Sequence, residues 1–150
     1  ECNANLALAA VHLRRNDGDD LDMARQCCAK AADLAREATL FGAEAMALSR
    51  EADALRRQGK LEPALELSMQ AMQILDRQRH LEGSEEEVLY HHYLVLLALR
   101  SSDAEACLVR ATRGFERKLA AIDDRDWRRS FCEDVQVNVA LMRASEELTV

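Results

Sequence analysis

The feature that most constrains the fold is the segment from Ala45 to Asp76, which has the pattern of two amphipathic helices joined by a tight turn. Its apolar residues recur at steps of three and four and form one stripe on each helix. The stripes are Ala45, Leu48, Ala52 and Leu55, then Leu61, Ala64, Leu65, Ala71, Met72 and Leu75. Gly59 stands where a left-handed residue ends the first helix, and Pro63 lies in the first turn of the second. A hairpin of this kind cannot bury its apolar face alone, so the segment predicts similar neighbours.

The composition favours an all-α fold in one domain. Of the 150 residues, 49% are hydrophobic but only 4% are aromatic, and one Pro and five Gly argue against a turn-rich β architecture. The net charge of −7 argues against nucleic-acid binding, which needs clustered Lys and Arg. No apolar run approaches the roughly 20 residues of a membrane span. We therefore expect neither a nucleic acid nor a membrane as partner.

The cysteines and the start of the chain give two further expectations. The five cysteines are odd in number, two are adjacent, and none forms a C-x-x-C pair. This pattern is typical of buried thiols in the reducing cytoplasm. The chain begins at Glu1 without Met, which leads us to expect a fragment of a larger protein.

Helical patterns divide the chain into three predicted hairpins, at about residues 3–41, 43–81 and 85–122, followed by a capping helix at 124–148. The second helix is predicted from about Leu21, with Asp19 or Asp20 as its N-cap, to an end at Phe41-Gly42. Ser84 and Glu87 form a capping box for the fifth helix. Two inward-facing sets are predicted for the fifth and sixth helices: Tyr90, Tyr93, Leu94 and Leu97, then Ala106, Leu108, Ala111, Phe115 and Leu119.

The last segment is predicted to cover the apolar face of the third hairpin. Asp124 would cap it, and Trp127 and Phe131 would lie against the sixth helix. A bend is expected near Val135-Gln136.

A repeat is indicated by small residues in successive hairpins. Ala24, Ala64 and Ala106 begin comparable patterns 40 and 42 residues apart. Gly59, Ala64, Ser68 and Ala71 in the middle hairpin resemble a tetratricopeptide repeat (TPR), with Leu48, Ala52 and Leu55 at the matching first-helix positions. In the third hairpin Tyr90, Tyr93, Leu94 and Leu97 match the large first-helix positions. The resemblance implies antiparallel hairpins stacked as a TPR-like right-handed solenoid with a C-terminal capping helix.

A second resemblance covers about residues 43 to 148. The stretches LEGSEEEVLYHHYLVLLAL and DDRDWRRSFCEDVQVNVALM look like the C-terminal helical region of bacterial multidomain signalling proteins. A D-x-x-x-R-x-x-F ending is present as Asp124, Arg128 and Phe131, although Arg125 and Gln136 replace the prolines usual in that family. The resemblance implies a regulatory role beside a nucleotide-binding switch ATPase and a kinase or cyclase.

No constellation of residues predicts catalysis or a cofactor. His91 and His92 are consecutive and therefore point about 100° apart on a helix, whereas metal-binding helices use i, i+3 or i, i+4 pairs; a surface or groove position is expected. Cys28 lies on an apolar face, which favours a core thiol over a redox site. Glu85-Glu86-Glu87 begins a helix, where acidic residues are stabilised by the helix dipole. We expect no enzyme activity, no metal and no cofactor.

In stacked hairpins the first helices line a concave surface, which predicts a binding function. The resemblance to the TPR family implies protein–protein interaction, with a peptide or partner domain held in this groove. We count repeat positions from Ala45 in the second hairpin and from Glu87 in the third. The groove positions are then Met46, Ser49, Asp53, Arg56, Val88, His91, Val95 and Ala98. Two alternatives remain open: a helical-bundle metal protein or enzyme using His91 with Cys or Glu, and a structural module that forms homodimers.

Overall fold

The structure, a computed structural model, describes residues 1–78 and 83–148, and within them it contains eight α-helices and no strand. In chain order the helices are α1 (Cys2–Arg15), α2 (Gly18–Glu37), α3 (Phe41–Arg57), α4 (Leu61–Arg77), α5 (Glu85–Ala98), α6 (Ala104–Ala120), α7 (Arg125–Glu133) and α8 (Gln136–Leu148). The all-α prediction is confirmed. The predicted end of the second hairpin at residue 81 lies outside the described residues.

Left-handed residues end several helices, as the sequence predicts for Gly59. Gly59 has φ 75°, and Thr39 and Arg100 have φ 58° and 56°. Each of these three turns has the same backbone hydrogen bond from the next residue to the carbonyl five positions earlier. These bonds are Leu40 N to Ala35 O at 2.8 Å, Lys60 N to Leu55 O at 2.9 Å and Ser101 N to Leu96 O at 2.9 Å. The three turns therefore reverse the chain in the same way.

Side chains cap three helices at their N-termini. The Oγ of Ser84 accepts a hydrogen bond from Glu87 N at 3.2 Å, and Asp124 Oδ1 accepts one from Trp127 N at 2.9 Å. Both predicted caps are confirmed. For α2 the prediction of Asp19 or Asp20 is wrong: the cap is Asp17, because the helix begins three residues earlier than Leu21.

The second helix also ends earlier than predicted. It stops at Glu37, and Phe41 and Gly42 begin α3 instead of ending α2. Leu40 N is already bonded to Ala35 O in the intervening turn. The sequence pattern misplaced this boundary because apolar residues continue through the turn.

Helices that are consecutive in the chain pack on each other from α1 to α6, and α1, α3 and α5 also contact one another in turn. The α8 helix then packs on α5 and α6. The first helices of successive hairpins are thus neighbours along one side of the array.

Small residues repeat at equivalent buried positions of α2, α4 and α6. Counted from Leu21, Leu61 and Ala104, positions four, eight and eleven of each helix are small and buried: Ala24, Cys28 and Ala31; Ala64, Ser68 and Ala71; Cys107, Ala111 and Gly114. The prediction that Ala106 begins the third set is wrong, because Ala106 is exposed and the buried residue is Cys107. Two additional residues in the turn before α6 shift the register.

The first helices repeat a different pattern, with larger residues. We compare the residues that lie nine, five and two positions before the last residue of each helix. They are Leu6, Ala10 and Leu13 in α1, Leu48, Ala52 and Leu55 in α3, and Leu89, Tyr93 and Leu96 in α5. The predicted inward face of α5 is therefore displaced by one residue. Leu89, Val95 and Leu96 are buried, whereas Leu97 is 51% exposed.

The C-terminal segment is divided into α7 and α8 by a break at Asp134 and Val135, close to the predicted bend. The ring of Phe131 stacks on Phe115 of α6 with 5.3 Å between the centroids, as expected. The prediction for Trp127 is wrong, because its side chain is 74% exposed. In the α7 helix no residue is fully buried.

Among the described residues, none of the helices is both long and apolar enough to cross a membrane.

The small residues are expected to limit how much volume the helix contacts tolerate. Ala64 is fully buried between helices, so Ala64→Leu is expected to lower the free energy of unfolding by about 1–3 kcal/mol through overpacking. Ala106→Leu, on the exposed face of α6, is the matched control and is expected to change it by less than about 0.5 kcal/mol. Urea unfolding of both variants measures the difference, and equal losses would contradict the assigned faces.

The two large aromatic residues of α7 are expected to differ in their contribution to stability. Phe131→Ala removes the stacking on Phe115 and is expected to cost about 1–3 kcal/mol. Trp127→Ala removes an exposed ring and is expected to cost less than about 0.5 kcal/mol. Thermal unfolding compares them; a larger loss for Trp127→Ala would show that α7 packs through its other face.

Candidate functional site

A cleft of about 540 Å³ lies along the first helices of the hairpins and is the candidate functional site. Its floor and one wall come from α1, α3 and α5, and the other wall comes from the α7–α8 junction. The lining residues are Ala10, Leu13, Arg14, Arg50, Asp53, Arg57, Glu87, Tyr90, His91, Leu94, Asp134, Val135, Gln136, Val137 and Ala140. We refer to this site as the inner cleft.

Two arginines of α3, one on each side of Asp53, tie the floor of the inner cleft to α1. Arg50 Nη1 donates to Leu6 O at 3.0 Å, and Arg57 Nη1 donates to Leu13 O at 2.8 Å. Because Arg50 and Arg57 are seven residues apart, they lie on one face of α3, two turns from each other. Both arginines bind main-chain carbonyls of α1, and Arg57 Nη1 also donates to Oδ1 of Asn16, the residue after α1, at 3.4 Å.

Arg50 also joins α3 to α5. Its Nε and Nη2 lie 2.7 and 3.2 Å from the two carboxylate oxygens of Glu87, a bidentate pair. Glu87 was predicted to complete the capping box with Ser84, yet its carboxylate points to Arg50. Of the two hydrogen bonds of the predicted capping box, only the one from Glu87 N to Ser84 Oγ is therefore formed.

Asp53 is a fully buried carboxylate in this floor. Arg56 Nη2 lies 2.8 Å from its Oδ1, and Arg57 Nη2 lies 2.7 Å from its Oδ2. Burial by itself would raise the pKa of Asp53, but the electrostatic influence of His91, Arg57 and Arg56 outweighs it and holds that pKa below its usual range. Asp53 is therefore an anion paired inside the protein, where removing one partner is costly.

The consecutive histidines bind two different helices of the preceding hairpin. The Nδ1 of His91 lies 2.9 Å from Ser49 Oγ on α3, and the Nδ1 of His92 lies 2.9 Å from Ser68 Oγ on α4. Because Ser68 Oγ donates to Leu65 O, His92 Nδ1 is the donor to Ser68. Burial, with a contribution from Arg110, lowers the pKa of His92, while Asp76 opposes the shift.

The structure places the eight predicted groove residues in several environments. Asp53 and His91 line the inner cleft, and Met46 lines a separate cavity near the start of α3. Six side chains are buried, Arg56 is half-buried and Ala98 is exposed: the buried ones are Met46, Ser49, Asp53, Val88, His91 and Val95. His91 was expected at a surface or groove position; it lines the inner cleft, with its side chain buried. The partner-binding role of the eight stays a prediction.

The sequence missed Glu87, Tyr90 and Leu94, which line the inner cleft. Counting the third hairpin from Glu86 instead of Glu87 would have found them, because Ala45 and Glu86 lie equally far from the ends of their helices. The sequence did contain a signal for this count, because Leu89, Tyr93 and Leu96 have the same spacing as Leu48, Ala52 and Leu55. The wall formed by Val135, Val137 and Ala140 had no signal in the hairpin pattern.

The described part of the chain was compared with the arrangements that hold metal ions and with reactive thiol sites. It contains no group of three His, Cys, Asp or Glu side chains placed to hold a metal ion. The thiol of Cys28 is buried, and burial raises its pKa to about 12. Such a thiol is unreactive at neutral pH, in agreement with the predicted core position.

The buried carboxylate is expected to make stability fall in acid. Because the pKa of Asp53 is lower in the folded chain than the value of about 3.9 in unfolded chains, the unfolded state binds the proton first as the pH falls. Its contribution to the free energy of unfolding is complete above that unfolded value and is lost as the pH falls through the folded one. Asp53→Asn is therefore expected to be less stable at pH 7 and to lose less between pH 5 and 2.

Urea unfolding at a series of pH values measures this effect. Asp126→Asn, whose side chain is 85% exposed, is the control and is expected to follow the parent curve. An Asp53→Asn curve parallel to the parent would mean that other carboxylates cause the acid loss.

No family model matches the chain, and neither a curated protein nor a solved structure matches it at a significant level. The resemblance to the TPR family and to bacterial signalling proteins is therefore carried by the residues quoted above. What the chain does must be argued from its own helices and its inner cleft.

Proposed function

We propose that the chain is a protein–protein interaction module that binds a peptide or partner domain in the inner cleft. In this proposal the hairpins stack as a TPR-like right-handed solenoid, closed at its C-terminal end by α7 and α8. The chain acts by binding and has no catalytic role of its own.

The repeated packing positions support the solenoid. Three helices, α2, α4 and α6, carry small buried residues at positions four, eight and eleven, and the same backbone turn occurs after α2, α3 and α5. Equivalent contacts between successive units are what produces a stack with a constant rotation per repeat. The contacts of α1 with α3 and of α3 with α5 agree with this arrangement.

The inner cleft is the observation that carries the binding proposal. In a stack of hairpins the first helices line the concave side, and the cleft is lined by α1, α3 and α5. It combines charged side chains with the apolar surface of Leu13, Leu94 and Val137. Concave surfaces of this mixed kind are typical of sites that bind a ligand.

The regulatory version of the proposal rests on the second resemblance. Its three matching residues have structural roles here: Asp124 caps α7, Arg128 Nη1 donates to Ile122 O at 3.3 Å, and Phe131 stacks on Phe115. These contacts fix the cap that forms one wall of the cleft. We propose that the module serves a bacterial cytoplasmic signalling protein in which the cleft holds a neighbouring domain or a separate partner.

Two leucines of α5 provide a matched test. Leu94 lines the inner cleft, whereas Leu97 is 51% exposed and does not line it. Leu94→Asp is expected to reduce capture of partners from the source lysate by at least tenfold, because it places a charge on the apolar part of the cleft. Leu97→Asp is expected to capture as the parent does. Quantitative mass spectrometry of the captured proteins measures both.

Helicity and thermal unfolding of both variants control for folding. Ala140→Glu, on the α8 wall, repeats the test from another helix. Identical captured proteins for the parent, Leu94→Asp and Ala140→Glu would place the binding surface elsewhere on the molecule.

A further inference from the structure

We propose that the inner cleft recognises a short segment of mixed charge, with an acidic group bound by Arg14, a basic group bound by Asp134 and an apolar side chain bound at Leu94. This inference rests on the proposed function and specifies the chemistry of the partner.

The charges in the floor of the inner cleft are already paired. Arg50 is bidentate with Glu87, and Asp53 is bound by Arg56 and Arg57. A ligand charge would have to break one of these pairs to reach the floor, which is costly for buried groups. The floor therefore offers no charge of its own to a partner.

Two charged side chains that line the cleft are left without an ion pair among the described residues, Arg14 and Asp134. Both are exposed at the surface. Arg14 belongs to α1, which packs on α3, and Asp134 lies at the start of the α7–α8 junction, whose α8 helix packs on α5 and α6. The two uncommitted charges have opposite signs and come from different elements of the cleft, Arg14 from α1 and Asp134 from the α7–α8 junction.

Apolar side chains line the same cleft. Leu94 and the ring of Tyr90 come from α5, and Val137 and Ala140 come from α8. A ligand that carries both charges and an apolar side chain complements this lining. A uniformly acidic segment would place like charges against Asp134, and a uniformly basic one would place them against Arg14, so both are disfavoured.

The volume of the cleft sets the length of the segment. An α-helix with its side chains is about 11 Å wide and rises 1.5 Å per residue, which corresponds to about 140 Å³ per residue. The cleft of about 540 Å³ therefore holds about four residues. A segment of four residues spans at most about 14 Å when it is extended.

Four blocked peptides test the proposal on the full chain. They are acetyl-Glu-Leu-Leu-Lys-amide, the reversed order acetyl-Lys-Leu-Leu-Glu-amide, the neutral acetyl-Gln-Leu-Leu-Gln-amide and the uniformly acidic acetyl-Glu-Leu-Leu-Glu-amide. NMR titration at low salt measures each dissociation constant. One mixed-charge order is expected to bind more tightly than the neutral peptide by about 1.4- to 5-fold per charge, the ratio given by an exposed ion pair. The signals of Tyr90, Leu94 and Val137 are expected to shift.

A charge exchange in the protein then tests the two contacts directly. Arg14→Glu combined with Asp134→Lys is expected to invert the preference between the two mixed-charge orders. The matched control is Arg15→Glu combined with Glu133→Lys, which exchanges the same charges at exposed neighbours that do not line the cleft. The control is expected to keep the order preference of the parent.

Three results would overturn the proposal. Equal binding of neutral and mixed-charge peptides, or an order preference unchanged by the exchange, would show that the cleft binds segments without reading their charge, and would leave the proposed function standing. Failure of all four peptides to bind would also overturn it. The capture experiment with Leu94→Asp decides the proposed function separately.

Discussion

The close approach of helices at small side chains is the constraint on which this fold depends. Ala64, Ser68 and Ala71 are buried in α4, and residues of similar size hold the equivalent positions of α2 and α6. A small side chain lets two helix backbones approach closely, so that the larger leucines on either side interdigitate. The first helices α1, α3 and α5 contact one another in turn and line the inner cleft.

The α3 helix holds this row together with polar groups that are unusual in a helix centre. Arg50 and Arg57 reach carbonyl oxygens of α1, and Arg50 also binds Glu87 of α5. Buried charges are costly unless they are paired and hydrogen-bonded. Arg56 donates hydrogen bonds to Oδ1 of Asp53, while Oδ2 has the ion pair with Arg57 and no hydrogen bond, and the pKa of Asp53 is held below its usual range. The same network leaves the floor of the cleft electrically satisfied, so recognition falls to the charges at its edges.

The C-terminal segment, α7 and α8, has two structural roles that its sequence alone does not distinguish. Through Phe131 and Leu141 it packs on the main hydrophobic core. Through Val135, Val137 and Ala140 it also supplies a wall of the inner cleft. The same segment therefore packs on the core and lines the cleft, and Asp134 places a charge at the break between α7 and α8.

The sequence by itself determined the all-α class, the middle hairpin with its turn at Gly59, the Ser84 and Asp124 caps, and the buried stripe of α3. These features depend on interactions within a few turns of the chain, which periodicity and turn residues report directly. Only the tertiary structure decided the register of α5, the burial of His91 and the exposure of Trp127. A shift of one residue rotates the face of a helix by 100°. The buried face of α5 is shifted by one residue from the predicted one, and the two extra residues in the turn before α6 shift the buried face of α6 in the same way. The inner cleft could likewise not be predicted from the sequence. Its walls come from helices far apart in the chain, and how closely these approach each other depends on the packing of all the helices between them.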